Sequence, residues 1–207
     1  MSSQGTYDDV AALARAAGRR FTPRAGLPAF FALTDPERTP DPLALARVLP
    51  GGAGLVLRHF GREDQIALAG PLARLCRSRG LVFLVANDGE LARSVKAQGV
   101  HWPQACAHRA RAWARRRPDW LMTASAHDHV AASAPGTGIA AVFLSPVFQS
   151  ASPSAGPPLG AVRAGRIARG ARVPVYALGG VNSRTLGGLD NRIFSGVCAV
   201  SAQPLEP

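Results

Sequence analysis

Short apolar runs alternate along this chain with longer segments whose apolar residues recur at helical spacing. The runs are Phe30–Thr34, Leu55–Arg58, Leu81–Ala86, Gly99–His101, Trp120–Ser125, Ala141–Ser145, Val173–Leu178 and Gly196–Val200. Most lack a clean polar alternation, which is the pattern of strands covered on both faces. Helices are predicted over Asp41–Leu49, Asp64–Arg79, Asp88–Gln98, Ala105–Arg116, Asp128–Ser133, Gly160–Ala168 and Asn182–Leu186, with one more, Tyr7–Arg20, ahead of the first strand. Asp41-Pro42 joins a capping residue to a proline in the first turn, and Asp88 is a second capping residue. Pro71 is expected to kink its helix. The alternation predicts an α/β fold: one (β/α)8 TIM barrel across residues 1–207, with its core at about 29–202. The extra N-terminal helix is expected to close the barrel bottom. Only Gln203–Pro207 follow the last strand, so a truncated C-terminus without an eighth outer helix is expected.

Composition narrows the class. A chain of 207 residues suits one domain with a sizeable core. No apolar run approaches the roughly 18–20 residues of a membrane span, and MSSQGTYDDV lacks the features of a secretory signal. The net charge of +11 is mostly arginine spread over helical segments such as Ala110–Arg117. Nucleic acid is not expected as a partner, because no recognition motif and no interleaved aromatics accompany the basic residues. The charge instead favours small phosphorylated ligands. Cys76, Cys106 and Cys198 are isolated, as in a reduced cytoplasmic protein, and Cys76 and Cys198 fall in core-like positions. The sequence is compatible with a homo-oligomer and fixes no oligomeric state.

In a barrel of this kind the reactive groups lie at the C-terminal strand ends. Those ends read Thr34-Asp35-Pro36, Arg58-His59, Asn87-Asp88, His101 with Gln104, Ser125-Ala-His127-Asp128, Ser145-Pro146, Gly179-Gly180 and Val200-Ser201. The last two are the most telling. Small residues after consecutive strands let backbone N–H groups approach an anion, the arrangement of a barrel phosphate site. Gln149–Pro158, rich in Ser, Pro and Gly, follows the sixth strand and is either a mobile lid or a plain connection.

The order of these pieces resembles the thiamine phosphate synthase / TenI (thiazole tautomerase) family. Phe31-Ala-Leu-Thr-Asp-Pro36 matches its "YALTDP", Val56-Leu-Arg-His59 its "QLREK", and Val85-Ala-Asn-Asp88 its "NDD". Ala97–Gln104 matches "ADGVHLGQ", Ala124-Ser-Ala-His127 "GSxH", and Ser145–Pro153 "GPVFPTxTK". Ala177-Leu-Gly-Gly-Val181 and Gly196–Ala202 match "AIGGI" and "GVAVVSA". The resemblance implies a protein of thiamine biosynthesis that binds a thiazole phosphate, a small-molecule phosphate ester, through Gly179, Gly180, Val200 and Ser201. It puts Arg58, Asn87 and Ser125 on a pyrophosphate side and Asp88 on Mg²⁺; His59, which is new relative to the family pattern, is expected as a substrate contact from its place at the strand end. It makes His127 the general acid/base of a tautomerase.

The departures bear on activity. Phe60 stands where the family has a lysine, Cys106 where it has a second metal carboxylate, and Pro153 where it has another lysine. A thiol is a poor ligand for Mg²⁺, which favours oxygen. No cofactor is therefore fixed, and Mg²⁺ is implied only with a weakened donor set. Transfer from a pyrophosphate depends on stabilising leaving-group charge. The expected function is accordingly TenI-like proton transfer on a thiazole, which needs no metal. The alternatives are a divergent synthase joining hydroxymethylpyrimidine pyrophosphate to thiazole phosphate, and an inactive phosphate-ester-binding barrel.

Overall fold

The computed structural model describes residues 3–23, 26–59, 63–150 and 156–200. Its strands are β1 (Phe30–Leu33), β2 (Gly54–Leu57), β3 (Val82–Ala86), β4 (Gly99–Trp102), β5 (Leu121–Ala126), β6 (Ala141–Leu144), β7 (Val175–Ala177) and β8 (Gly196–Ala199). They form a closed, sequentially ordered barrel, and β8 returns to β1 in parallel register with Cys198 opposite Phe31. Closure leaves no unpaired strand edge. Each apolar run of the sequence is a strand, with its ends shifted by a residue or two.

The outer layer holds α1 (Ser3–Arg20), α2 (Pro42–Val48), α3 (Glu63–Ser78), α4 (Gly89–Ser94), α5 (Ala110–Arg116), α6 (His129–Ser133) and α7 (Gly160–Gly170). Aspartates start three of them. Asp41 accepts the Ala44 N–H at 2.9 Å, Asp88 that of Leu91 at 2.8 Å, and Asp128 that of Ala131 at 2.8 Å. Each carboxylate satisfies one of the donors that a helix start leaves free. α3 runs unbroken through Pro71.

Four expectations change. α4 ends at Ser94, not Gln98, because Lys96 turns left-handed (φ 58°) and the Gln98 side chain accepts the Phe83 N–H at 2.9 Å. The helix expected over Ala105–Arg116 begins as a 3-10 turn, Gln104–Arg109, before α5. Asn182–Leu186 is not helical: Asn182 Oδ1 accepts the N–H groups of Arg184 and Thr185, and a 3-10 turn follows over Leu186–Gly188. Finally, α1 does not cap the barrel bottom. It packs on the flank against α2, β1 and β8, with Asp41 N–H donating to Tyr7 Oη at 3.0 Å and Arg20 donating to the carbonyls of Gly187 and Leu189. The expected absence of a helix after β8 falls on residues 201–207, outside the described residues.

Strand alternation splits the core into two layers. Leu55, Leu57, Phe83, Val85, Val100 and Trp102 face the helices, whereas Phe31, Leu33, Val56, Leu84, Phe143, Tyr176 and Cys198 fill the barrel. Phe31, Phe143 and Tyr176 pack as a trio with ring centroids 5.0–5.6 Å apart. Cys76 and Cys198 are buried free thiols, and burial pushes the Cys76 thiol up to about 12. Among the described residues no helix is long and apolar enough to cross a membrane.

The ring is tightest at β4. A Cβ on Gly99 would overlap the backbone carbonyl of Leu121 on β5, which cannot swing aside as a side chain can. Gly99→Ala is expected to cost roughly 2 kcal/mol in urea unfolding, whereas Gly51→Ala, where a Cβ has room, should cost much less. Equal costs would mean that the barrel relaxes at β4.

Candidate functional site

The barrel interior is apolar up to the C-terminal ends of the strands, where polar side chains collect. Arg58 follows β2 and turns inward in phase with Val56. Its backbone N–H donates to Thr34 Oγ1 (2.9 Å), its Nε to Thr34 O (3.3 Å) and its Nη2 to Asp35 Oδ2 (2.8 Å). Asp35 also accepts the N–H groups of Glu37 and Arg38. Partial burial would raise the Asp35 carboxyl, but the Arg38 and Glu37 N–H groups and the Arg58 guanidinium outweigh it and hold it below its ordinary value. Burial pulls the Arg58 guanidinium down, partly offset by Asp35. Among the described residues, two of the guanidinium's five N–H donors are thus used, and the others have no partner there.

Two strands along, on β4, His101 sits at the top of the aromatic trio, stacked on Phe143 at 4.6 Å and 18°. Its Nδ1 lies 2.9 Å from Thr123 Oγ1 and its Nε2 3.0 Å from Ser125 Oγ. Burial, with smaller contributions from Arg58 and His127, lowers its pKa to about 3, so the imidazole is neutral. Asn87, left-handed at φ 57°, donates its N–H to the His101 carbonyl at 2.9 Å, and its Oδ1 is shielded without a protein partner among the described residues.

Beyond β5 the chain turns outward at His127. The Gln104 side chain accepts the His127 N–H (2.9 Å) and donates to Asp128 Oδ2 (3.1 Å), tying the β4 and β5 loops together. His127 Nδ1 lies 3.0 Å from the Ser145 carbonyl oxygen and 3.2 Å from Ser145 Oγ. A carbonyl only accepts, so Nδ1 carries the hydrogen and Nε2 of the neutral ring presents its lone pair. The ring itself is exposed. A cavity of about 220 Å³ opens between the segments that follow β4 and β5, lined by Gln104, Ser125, Asp128 and Ala131 among others.

Gly179 and Gly180 follow β7 with φ of 89° and 64°. The loop after β6 lies directly on them, with Val147 N–H donating to Leu178 O and Phe148 N–H to Gly179 O. A Cβ on Gly180 would overlap the Gln149 carbonyl. These glycines therefore satisfy a backbone packing demand as well as any phosphate. Val200 is half-buried beside them, while Ser201, Phe60 and Pro153 lie outside the described residues, as does part of the Gln149–Pro158 loop.

Two residues at the strand ends are engaged by the helix layer. His59 is one residue beyond Arg58 and so faces the helix layer. It is 3% exposed, with Nδ1 3.3 Å from Asp64 and its N–H donated to Gln65, which makes it a strand-to-helix brace in this conformation and not a group open to substrate. Asp88 spends Oδ1 on capping α4. Cys106 is half-buried on the neighbouring 3-10 turn, and among the described residues no three His, Cys, Asp or Glu side chains gather as metal ligands. One capping carboxylate and a thiol do not fit the oxygen-rich set that Mg²⁺ demands. His108 and His129 are exposed. Thr123, the partner of His101, has no expected role in the sequence; its only signal is its spacing of two from Ser125, which puts both hydroxyls on the inner face of β5.

A sequence model described as "Thiamine monophosphate synthase" matches residues 31–203. A thiamine-phosphate synthase of Chlorobium luteolum is 29% identical over 181 residues, 84% of this chain and 84% of that protein. A putative thiamine-phosphate synthase 2 of Aquifex aeolicus is 28% identical over 75% of this chain and 86% of its own length. Among solved structures, thiamine phosphate pyrophosphorylase from Pyrococcus furiosus superposes with a TM-score of 0.67 at 18% identity, covering 82% of this chain and 83% of that one, which speaks to the fold.

The Asp35–Arg58 pair has a signature in pH. A depressed carboxylate contributes stability above its unfolded value of about 3.9, and that stability is lost as pH falls through the lower folded value. Asp35→Asn is expected to destabilise by roughly 1 kcal/mol at neutral pH, with the difference from wild type shrinking in urea melts below about pH 4. A difference independent of pH would remove the carboxylate charge from the account.

Proposed function

The chain belongs to the thiamine monophosphate synthase family, and from that premise we propose that it is a TenI-like enzyme of thiamine biosynthesis that binds a thiazole phosphate and moves a proton on the thiazole. The carrying observation is His127. Its Nδ1 hydrogen is anchored on the Ser145 carbonyl, and its Nε2 has no partner among the described residues, at the exposed end of β5. Anchoring one nitrogen fixes the ring and leaves the other as the working atom. An imidazole base takes a proton at Nε2, becomes charged, and returns the proton to a different atom of the same substrate. The tautomerisation is proton-neutral overall and requires neither a metal nor a leaving group, which suits a site whose Mg²⁺ donor set is poor. Arg58, with its unused donors, and the Gly179-Gly180 and Val200 strand ends would hold anionic groups of the ligand.

A second reading, a divergent synthase joining hydroxymethylpyrimidine pyrophosphate to thiazole phosphate, is favoured by the names of the curated relatives. It must rely on Arg58, Asn87 and Ser125 for the pyrophosphate.

The two readings separate in assay. Thiazole carboxylate phosphate isomerisation is expected with the wild type, and His127→Gln is expected to lower its rate by about 10²–10⁴-fold while thiazole phosphate affinity is kept. An unchanged mutant rate would sink His127 as the base. Ordinary turnover of the two synthase substrates with Mg²⁺ would replace the tautomerase reading with the second.

A further inference from the structure

Thr123, His101 and Ser125 form a buried line of three hydrogen-bonding groups that ends at the mouth. Thr123 is 0% exposed and His101 1% exposed, while Ser125 is half-buried beside the cavity. Each link is short, at 2.9 and 3.0 Å. The direction of the line follows from elimination. A buried hydroxyl hydrogen without an acceptor costs free energy. Among the described residues the one partner of Thr123 Oγ1 is His101 Nδ1, so the threonine donates and Nδ1 accepts. A neutral imidazole has one N–H, which must then sit on Nε2 and donate to Ser125 Oγ. Ser125 has no other hydroxyl partner among the described residues, and with one lone pair engaged its own hydrogen is free to point at the mouth. His101 stacks on Phe143, and a half-turn of the ring would put carbon atoms where Thr123 and Ser125 now meet nitrogens.

We infer that Thr123 and His101 are positioning residues that lock the Ser125 hydroxyl as a hydrogen-bond donor toward an anionic oxygen of the ligand. The ring's deeply lowered pKa agrees, because an imidazolium would have to donate at Nδ1 as well and would drive the threonine hydrogen off. The acceptor oxygen is a carboxylate or a phosphate. That part alone rests on the proposed ligand, whereas the polarity of the line does not.

The test reads the polarity first. In a long-range ¹H–¹⁵N spectrum of the full chain, His101 is expected as one neutral tautomer, protonated at Nε2 and bare at Nδ1, unchanged from about pH 5.5 to pH 8. A proton on Nδ1, or a charged ring in that range, overturns the inference. Thr123→Val, which keeps the shape and removes the donor, is expected to abolish the single-tautomer signature and to weaken thiazole carboxylate phosphate binding about five- to tenfold. Thr123→Ser is expected to restore both. Retention of the signature and of full affinity in Thr123→Val also overturns it. If Thr123→Val does not fold, the wild-type spectrum and Thr123→Ser decide alone. Comparing thiazole phosphate with its carboxylated form in Ser125→Ala tells which oxygen accepts. A wild-type protein that binds neither ligand, yet shows the expected tautomer, overturns the proposed function and leaves the ligand half of this inference refuted with it.

Discussion

Everything in this molecule depends on closing eight strands of three to six residues into one ring. Such a ring encloses a space that only inward side chains can fill, and a void there would forfeit packing energy. Phe31, Phe143 and Tyr176 fill the middle, and Tyr176 Oη finds the Pro28 carbonyl at 2.7 Å, so its polar tip is satisfied. The plug leaves polar groups one place to go, the C-terminal rim. It also supplies the dry, flat surface on which His101 lies, and that dryness keeps the imidazole uncharged next to Arg58. The packing that stabilises the fold is in this way also what sets the electrostatics of its mouth.

Much of this was legible in the chain. Apolar runs without alternation marked every strand, and the aspartates before α2, α4 and α6 marked their starts. What stayed hidden was parity and partnership. His59 and Arg58 are neighbours in sequence, yet a strand sends successive side chains to opposite faces, so one braces α3 while the other enters the mouth. Gln104 and Asp128, 24 positions apart, meet because two loops stand side by side, and nothing in either residue's local context announces it. Thr123 lay within an apolar run and looked like core; only the register that sets it opposite His101 gives it work. The α1 segment was readable as a helix, but its resting place depended on which flank was bare.

Asp88 shows that one motif residue can face two demands. A carboxylate in a familiar motif invites a metal, but here one of its oxygens already serves a backbone N–H at a helix start, and the next acidic position of the family is a cysteine. The rim also carries an arginine tethered to Asp35 and a histidine anchored on Ser145. Family membership and chemical competence are separate properties, carried by different residues.

The seat of α1 has a consequence for how the chain is made. Arg20 holds carbonyls at Gly187 and Leu189, 167 and 169 positions away, and the helix leans on β8, the eighth strand of the ring. A helix so placed has no finished surface to rest on until β8 has been translated. Its apolar stripe, with Val10, Leu13 and Ala17, must wait exposed or be shielded by another factor. The contact of α1 with β8 is thus a non-local one, of the kind that slows folding and prolongs exposure of apolar surface.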